Sequence, residues 1–348
     1  MLNRLFNLFG PDLAIDLGAA NTRIGRAGEG IVLCEPSVVA VEAGARRVLA
    51  GGAAVGHLAR QMLGRAPGSI AVVRPMSAGV IADFELCEAM LRSFLAKAQP
   101  AGWRARPRVL ATAPGAATRV EKRAIHNSLL RSGARSVFVM SKAKAAALGV
   151  GLPVVEPVAS MICDIGAGGT EIAVLSLGEI VASRSVRVGG DAFDLALAEY
   201  LRRRFNLKVG LSAAERLRIE IGSAYPLADE LVEEVRGVDA ISQLPRKAVI
   251  TSEEVREGLA PPLAQLLASI RETLDDCPTD LAADLIDNGV VLSGGGALVS
   301  GLDRFVTEHT GLPARVHPDA TEAVARGALV CLERFDLWRG SMESGDAA

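Results

Sequence analysis

Two stretches of the chain share one pattern of apolar and polar positions. In each, an apolar strand ends in Asp-x-Gly, small residues follow, and a Thr precedes a second strand. The stretches are residues 13–22, continued by a strand at 23–26, and residues 161–170, continued by a strand at 171–175. A strand, a small-residue turn and a second strand predict a β-hairpin. Two copies so far apart predict duplicated α/β domains rather than a short-period repeat protein.

The segments around these hairpins predict helices and further strands. Periodic apolar positions indicate a helix at 83–98, and an apolar run indicates a strand at 106–111. Further helices are predicted at 119–132, 142–150 and 191–204. Strands that alternate with helices predict sheets covered by helices. Patterning weakens at 207–251 and at 31–74, which predicts two smaller, more exposed inserted subdomains. The polar end of the chain, 340–348, is expected to fray.

Composition narrows the class of protein. The chain has 348 residues, half of them apolar, with 38 Lys+Arg against 40 Asp+Glu and a formal net charge of −2. This length suggests roughly two or three domain-sized units. The near-neutral charge and the 4% of aromatic residues argue against nucleic-acid binding. No uncharged apolar run reaches the ~18 residues of a membrane-spanning helix. The five cysteines and four histidines show no metal-ligand spacing, so we expect reduced thiols and no disulfides.

The two hairpin turns are candidates for phosphate binding. A tight turn of Gly, Ala and Thr leaves backbone N–H groups bare, and successive bare amides bind anions. Asp16 and Asp164 each follow apolar strand positions, where an unpaired carboxylate is costly to bury. Facing one phosphate chain, the two carboxylates could hold hydrated Mg²⁺. The alternative is that each Asp only caps its own turn. The repetition of the pattern favours phosphate binding.

A glycine triplet follows a third apolar strand. Gly294, Gly295 and Gly296 stand between residues 290–293 and a helical pattern that extends to about Glu308. Glycines in this position let the backbone approach a ligand closely, and a helix N-terminus favours negative charge. A lone triplet is more often a plain turn, and this one gains weight by following the two hairpins.

In this order, the two phosphate hairpins and the Gly-rich loop resemble the ASKHA superfamily of actins, DnaK-type chaperones and sugar kinases. More closely, the chain resembles the MreB family of bacterial actins from about Asp12 to Glu333. The stretches that carry this resemblance are 16–18 with 21–22, 35–39, 61–65, 79–84, 220–226 and 294–298. The resemblance implies an α/β, actin-like (ASKHA) fold. Such a fold has two duplicated lobes, each a sheet flanked by helices with a smaller inserted subdomain, and binds ATP or ADP with Mg²⁺ in the cleft.

The resemblance also implies a division of the chain and a set of site residues. The segments are a membrane segment at 1–9, lobe I at 10–145 with its subdomain at about 31–75, lobe II at 146–316 with its subdomain at about 182–248, a return helix at 317–337 and a polar tail at 338–348.

The first phosphate turn comprises Asp16, Gly18, Ala19, Ala20, Asn21 and Thr22, and the second comprises Asp164, Gly166, Ala167, Gly168, Gly169 and Thr170. Asp16 and Asp164 would hold Mg²⁺ through water. The adenosine-binding residues would be Glu215, Arg218, Ile219, Gly294, Gly295, Gly296 and Ala297, although the family more often has Lys at position 218.

The chain departs from the family where ATP is hydrolysed. The family carries Glu-Glu-Pro before an Ala-rich helix, and one of these carboxylates orients the attacking water. Here both acids are gone: Ser141 precedes the helix, and Lys142 stands where the catalytic glutamate would be. The turns also depart, since Ala19 and Gly169 each replace a Thr and Ala167 replaces a Gly.

A lysine cannot act as a carboxylate base, so we expect no catalytic residue at this position and weak hydrolysis. Loss of a positioned general base typically lowers the rate by ~10²–10⁴-fold. Lys142 could instead contact the phosphates and stabilise bound nucleotide. The alternative is that Lys142 extends into solvent while other groups place the water.

Two apolar patches suggest contact with a membrane. Leu2, Leu5, Phe6 and Phe9 recur at helical spacing, which is typical of a short interfacial helix. A helix packed on the chain's own core fits the same pattern. Trp103 stands beside several arginines, which suits either an anionic membrane surface or a Trp tucked under a basic strand. Many members of the family carry an N-terminal anchor, and stable attachment would need many subunits in a filament.

The resemblance implies a cytoplasmic protein, peripheral at the inner face of the cell membrane. It would form filaments with itself as a homo-oligomer, and also with a more typical MreB, and organise the cell-wall elongation machinery and rod shape. The alternative function is a non-hydrolysing scaffold or regulator of filaments. A DnaK-type chaperone would need a peptide-binding domain beyond Ala348, and a small-molecule kinase would need a catalytic aspartate for which the sequence offers no candidate.

Overall fold

A computed structural model of the chain describes residues 10–44, 48–49, 52, 54–64, 66–100 and 105–344. Contacts divide the chain into two units, one formed by residues up to Leu152 together with those from Glu322 onwards, the other by Pro153–Thr321. The predicted membrane residues Leu2, Leu5, Phe6, Phe9 and Trp103 lie outside the described residues. None of the helices described is long and apolar enough to cross a bilayer.

The first unit is built on a six-stranded sheet. Its strands are β1 (Asp12–Leu17), β2 (Asn21–Arg26), β3 (Gly30–Pro36), β4 (Val39–Glu42), β5 (Ile70–Val73), β6 (Met76–Ser77), β7 (Val80–Ile81), β8 (Arg108–Ala113), β9 (Ser136–Ser141) and, at the end of the chain, β18 (Glu343–Ser344). Its helices are α1 (His57–Met62), α2 (Phe84–Ala98), α3 (Arg119–Arg131), α4 (Lys142–Gly149), α10 (Ala323–Glu333) and α11 (Phe335–Trp338), followed by a 3₁₀ turn at Arg339–Ser341. The large sheet has the order β18-β9-β8-β1-β2-β3, and β4-β5 and β6-β7 form two small sheets.

The second unit is built on a five-stranded sheet of order β12-β11-β10-β16-β17, with a separate sheet β13-β14-β15. The strands are β10 (Ser160–Ile165), β11 (Thr170–Ser176), β12 (Glu179–Val186), β13 (Leu207–Lys208), β14 (Val232–Asp239), β15 (Pro245–Thr251), β16 (Val290–Ser293) and β17 (Ala314–Val316). The helices are α5 (Gly190–Phe205), α6 (Leu211–Ile221), α7 (Ser252–Asp275), α8 (Thr279–Asn288) and α9 (Leu302–Thr310), with 3₁₀ turns at Gly295–Leu298 and Ala320–Glu322.

Both large sheets contain the same arrangement of strands. In each, three strands form an antiparallel meander, and two further strands run parallel to the first strand of that meander. The two predicted hairpins are the first pairs of these meanders, with Leu17 opposite Thr22 and Ile165 opposite Thr170. The predicted α/β class and the duplication of the sheet are therefore confirmed.

Helices α4 and α10 of the first unit cross with their backbones in close approach. A Cβ atom added at Gly149 would lie 1.7 Å from the carbonyl oxygen of Ala323, and one added at Gly327 would lie 1.7 Å from that of Ala145. Only glycine permits this distance, because any other residue would place a carbon atom inside the neighbouring backbone. The crossing fixes the position of α4, whose first residue is Lys142.

The end of the chain departs from the expected frayed tail. Glu343 pairs with Val139 as β18 joins the large sheet, and Trp338 is buried. The buried Lys144 donates a hydrogen bond from Nζ to Ser341 Oγ over 2.7 Å. The expectation of fraying is thus wrong for residues 340–344, since a buried aromatic ring and a buried lysine hold this segment on the sheet.

The stretch 207–251 has more regular structure than its weak patterning predicts. It contains α6 and the antiparallel sheet β13-β14-β15. Of the eight residues of β14, four are exposed, three are half-buried and Val235 is buried. A small sheet with one open face carries polar residues at most positions, which weakens the alternation seen in the sequence.

Candidate functional site

The first turn lies at one edge of the six-stranded sheet, where three parallel strands end. Ile15 of β1 pairs with Ala111 of β8, and Ala111 pairs with Val139 of β9. Because the carboxyl ends of parallel strands meet at the same edge, the residues that follow these pairs come together. Thr112 Oγ1 donates a hydrogen bond to Asp16 Oδ1 over 3.4 Å, and Lys142 Nζ lies 3.7 Å from the same oxygen.

Lys142 therefore does not extend into solvent, and that alternative is wrong. Its side chain is only 16% exposed, and its ammonium group contacts Asp16, whose side chain is 6% exposed. Lys142 is the first residue of α4, where a cation is disfavoured by the positive end of the helix dipole. The carboxylate of Asp16 offsets this repulsion. The contacts that Asp16 receives come from strand β8 and helix α4, which argues against a role confined to capping its own turn.

The backbone of the first turn is held by a buried hydroxyl pair. Thr22 Oγ1 and Ser37 Oγ are 2.9 Å apart, and Ser37 Oγ donates to the carbonyl oxygen of Gly18 over 2.7 Å. Because the Thr22 hydroxyl is hydrogen-bonded to Ser37, the geometry does not favour that hydroxyl as a phosphate ligand. Within the described part of the chain, the N–H groups of Ala19 and Ala20 have no acceptor. These two amides can bind an anion.

The second turn repeats the arrangement of the first in the other unit. Asp164 at the end of β10 pairs in register with Ser293 on the parallel strand β16. Ser293 Oγ donates to Asp164 Oδ1 over 2.9 Å, and both residues are buried. Thr112 and Ser293 thus occupy equivalent places, each a hydroxyl on the adjacent parallel strand that donates to the aspartate.

The loop of the second turn also leaves amides unused. Gly166 N–H donates to the carbonyl oxygen of Gly169 over 2.9 Å and closes the turn. The N–H groups of Ala167, Gly168 and Gly169 have no acceptor among the residues that the structure describes. The hydroxyl of Thr170 is buried and donates to the carbonyl oxygen of Val188 over 2.6 Å, so it is used internally, as that of Thr22 is.

The glycine triplet packs directly against the second turn. A Cβ atom at Gly294 would lie 2.2 Å from the carbonyl oxygen of Ile165, and one at Gly296 would lie 2.4 Å from the Ile165 side chain. Gly295 is exposed, with nothing within 4 Å of its Cβ position, whereas Ala297 is fully buried. A 3₁₀ turn follows Gly294 and α9 begins only at Leu302, so the expected helix does not start at the triplet. Of these predicted adenosine-binding residues, Gly295 alone faces open space.

The predicted adenosine-binding residues of α6 differ in their surroundings. Ile219 is 67% exposed and Glu215 is half-buried, whereas Arg218 is buried. The guanidinium of Arg218 binds Asp194 of α5 through Nε at 2.6 Å and Nη2 at 3.4 Å. Burial raises the pKa of the Asp194 carboxyl, and the hydrogen bond from Arg218 opposes that rise.

The Arg218–Asp194 pair lies behind the second turn. A Cβ atom at Gly190 would be 3.4 Å from Arg218 Nη2 and 3.5 Å from Ala167 Cα. The backbone of Gly190 and Asp191, at the start of α5, donates to the carbonyl oxygens of Gly166 and Ala167. Arg218 therefore supports the helix that supports the turn, and its predicted contact with adenosine stays a prediction.

Sequence reasoning missed four residues that shape these turns: Thr112, Ser293, Ser37 and Asp194. Thr112 and Ser293 each follow three apolar residues, the same signal that singles out Asp16. That signal could have found them, although only the strand order shows which aspartate each one contacts. Ser37 and Asp194 carry no comparable pattern.

The surroundings of Asp16 bear on its role as a candidate ligand for a divalent cation. Asp164 accepts a hydrogen bond from the Ser293 hydroxyl. Asp16 is paired with an ammonium group, and a cation beside it would repel Mg²⁺. Within the described ranges, no cluster of three or more His, Cys, Asp or Glu residues could hold a metal by itself. Asp16 therefore does not fit the predicted magnesium site, and a role for Asp164 in holding Mg²⁺ stays a prediction.

Known proteins of similar sequence and structure cover nearly the whole chain. A family model described as MreB/Mbl protein matches residues 10–339. The cell shape-determining protein MreB of Escherichia coli (strain K12) is 48% identical over 99% of each chain. The cell shape-determining protein Mbl of Bacillus subtilis (strain 168) is 41% identical over 94% of this chain and 98% of its own.

Solved structures agree with these matches. MreB5 of Spiroplasma citri bound to AMPPNP superposes with a TM-score of 0.89 at 32% identity, over 95% of this chain and 99% of its own. The MamK double helical filament gives a TM-score of 0.78 at 20% identity, over 93% and 98%, which bears on the fold alone. Because the family model spans residues 10–339 and the sequence identity to MreB reaches 48% over nearly the full length, this chain belongs to the MreB/Mbl family and has its actin-like fold.

Proposed function

We propose that this chain is a cytoskeletal protein that binds ATP or ADP and assembles into filaments that determine cell shape. The observation that carries the proposal is the repeated turn, in which an aspartate bonded by a neighbouring hydroxyl precedes unused backbone amides. The S. citri MreB5 structures are bound to AMPPNP and to ADP, and the E. coli and B. subtilis relatives are named cell shape-determining proteins. These relatives support the proposal.

Each turn would bind phosphate oxygens through its backbone. The amides of Ala19 and Ala20 serve the first turn, and those of Ala167, Gly168 and Gly169 serve the second. Gly295 leaves open backbone beside the second turn, where an adenosine could approach closely. When Mg²⁺ accompanies the nucleotide, it would neutralise phosphate charge, and Asp164 would hold it through water.

Replacing Ala167 with Glu tests nucleotide binding. Ala167 is half-buried on the second turn, and a carboxylate there would repel phosphate. We expect the Kd for ATP and for ADP, measured by calorimetry, to rise about tenfold or more, the effect of one like-charge contact. Ile241→Glu is the matched control, because Ile241 is 79% exposed in the β14–β15 connection, and it should bind like the wild type. A wild-type chain that binds neither nucleotide would overturn the proposed function.

Hydrolysis is proposed to be weak, because Lys142 holds the position of the family's catalytic glutamate and is paired with Asp16. For Lys142→Glu we expect phosphate release to rise about tenfold, less than the ~10²–10⁴-fold of a positioned base, because Ala19 and Gly169 still depart from the family. Phosphate release is measured on saturating ATP, with Lys122→Glu, a surface pair with Glu343, as the control. Equal rates for the wild type and Lys142→Glu would refute the slow-hydrolysis proposal.

Membrane attachment and cell-wall partners extend the same proposal. The apolar positions Leu2, Leu5, Phe6 and Phe9 favour peripheral binding at the inner face of the cell membrane, strengthened by the many subunits of a filament. Filaments held there would organise the elongation machinery, alone or with a more typical MreB. Co-sedimentation of the full chain with anionic vesicles, with and without ATP, measures assembly and attachment together. A non-hydrolysing scaffold, the alternative function, would differ from the proposed filament protein in phosphate release alone.

A further inference from the structure

Lys142 places a positive charge beside the carboxylate that the family resemblance assigns to a divalent cation. The distance from Nζ to Asp16 Oδ1 is 3.7 Å, and the two side chains are 16% and 6% exposed. Two largely buried charges are screened by salt much less than an exposed surface pair. The ion pair at this edge of the sheet should therefore persist at physiological ionic strength.

The pair changes the charge that a nucleotide would meet. The family pattern gives this position a glutamate beside the aspartate, and two carboxylates together carry −2. Here one carboxylate and one ammonium group sum to zero. Mg²⁺ binds through one or two carboxylates together with phosphates and waters. Neutralising Asp16 removes one of those carboxylates and adds a repulsive charge.

Three other groups at this edge favour an anion. The N-terminus of α4 carries the positive end of its dipole, and the amides of Ala19 and Ala20 have no acceptor within the ranges that the structure describes. The hydroxyl of Ser141, directly before Lys142, is buried and makes no hydrogen bond to any residue that the structure describes. A hydroxyl in this state can donate to an oxygen of a ligand. An ammonium group, a helix N-terminus and unused donors together suit a bare polyphosphate.

We propose that this chain binds metal-free ATP or ADP, with Lys142 supplying at Asp16 much of the charge compensation that a divalent cation would otherwise provide. The proposal rests on the proposed function, because it concerns the same turn. It names the ligand as the uncomplexed nucleotide polyphosphate and Lys142 as the residue that selects it. A fixed ammonium group then supplies part of the positive charge that a mobile Mg²⁺ ion would otherwise bring to this site.

The test is equilibrium binding of ATP and of ADP to the full chain, in excess Mg²⁺ and in EDTA. For the wild type, the two Kd values should agree within about threefold. For Lys142→Glu, removal of Mg²⁺ should weaken binding about tenfold or more, the size of one charge–charge contact near a protein surface. Lys142→Gln, which removes the charge without reversing it, should fall between these values. Thermal melting of each variant checks that it is folded.

The control is Lys122→Glu, which reverses a charge on the same unit in an exposed pair with Glu343 and should keep the wild-type ratio. A wild type that needs Mg²⁺ as strongly as Lys142→Glu would overturn the inference and leave nucleotide binding standing. A wild type that binds no nucleotide in either buffer would overturn the proposed function and this inference with it.

Discussion

Arg218→Ala is expected to lower the free energy of unfolding by about 3–5 kcal/mol, the cost of leaving a buried charge without its partner. Arg218 and Asp194 are both buried, and two hydrogen bonds join them. Removing the guanidinium leaves the Asp194 carboxylate desolvated between α5 and α6. Urea unfolding followed by circular dichroism measures the loss, together with the binding of ADP, since α5 begins at the second turn.

The loss should depend on pH in a defined direction. Burial already raises the pKa of Asp194 in the wild type, and without Arg218 the opposing hydrogen bond is gone, so the pKa rises further. A carboxyl whose pKa is higher in the folded than in the unfolded state stabilises the fold in its protonated form, and that contribution is lost as pH rises through the folded pKa. The deficit of Arg218→Ala should therefore be smallest in acid and grow towards neutral pH.

Two further variants separate the buried pair from general effects of arginine. Arg216→Ala is the matched control, because Arg216 lies on the same helix in exposed pairs with Glu220 and Glu233, which contribute about 0–1 kcal/mol. Replacing the pair together, with Arg218→Met and Asp194→Leu, should recover most of the stability, since no buried charge remains. An Arg218→Ala variant as stable as Arg216→Ala would show that the pair does not support α5.

Gly327→Ala is expected to destabilise the first unit by about 3 kcal/mol or more, at the upper end of the cost of overpacking a core. The added methyl group would lie 1.7 Å from the carbonyl oxygen of Ala145, and 2.7 Å from the backbone nitrogen of Gly149. Backbone atoms cannot rotate away as a side chain can, so α4 and α10 must move apart. Differential scanning calorimetry measures the fall in Tm.

Gly340→Ala is the control for the loss of a glycine, because no atom lies within 4 Å of its Cβ position and it follows α11 in the same unit. It should leave Tm nearly unchanged. Because α4 carries Lys142, a shift of α4 in the Gly327→Ala variant should also make nucleotide binding depend more strongly on Mg²⁺ than the inference for Lys142 expects of the wild type. If Gly327→Ala melts at the temperature of Gly340→Ala, the close helix crossing does not exist in solution.

Two of the proposed functional properties depend on the charge of the residue at position 142. The family resemblance predicts a catalytic glutamate there, and the chain has a lysine paired with Asp16 instead. The proposed slow hydrolysis and the proposed weak dependence on Mg²⁺ both depend on Lys142, yet they are measured separately, by phosphate release and by equilibrium binding. One could fail while the other holds.

The sequence alone determined the repeated hairpin and the α/β class. Apolar runs that end in Asp-x-Gly before small residues leave few backbone conformations besides a strand, a tight turn and a second strand. Helices α2, α3, α4 and α5 lie within about two residues of their predicted bounds. For α2 and α3, the side chains of Asp83 and Thr118 cap the first turn and fix the start of the helix locally. The family resemblance followed from such local stretches as well.

Only the tertiary structure decided which groups face one another. Thr112 lies 96 positions from Asp16, and Ser293 lies 129 positions from Asp164, and each meets its aspartate only because two strands are parallel neighbours. The same holds for Lys142, which local pattern could equally place in solvent, and for the C-terminal strand, whose short polar sequence predicts a frayed end. Contacts of this kind depend on strand order and helix crossing. These are set by how the whole unit packs, and a local pattern of apolar and polar residues cannot encode them.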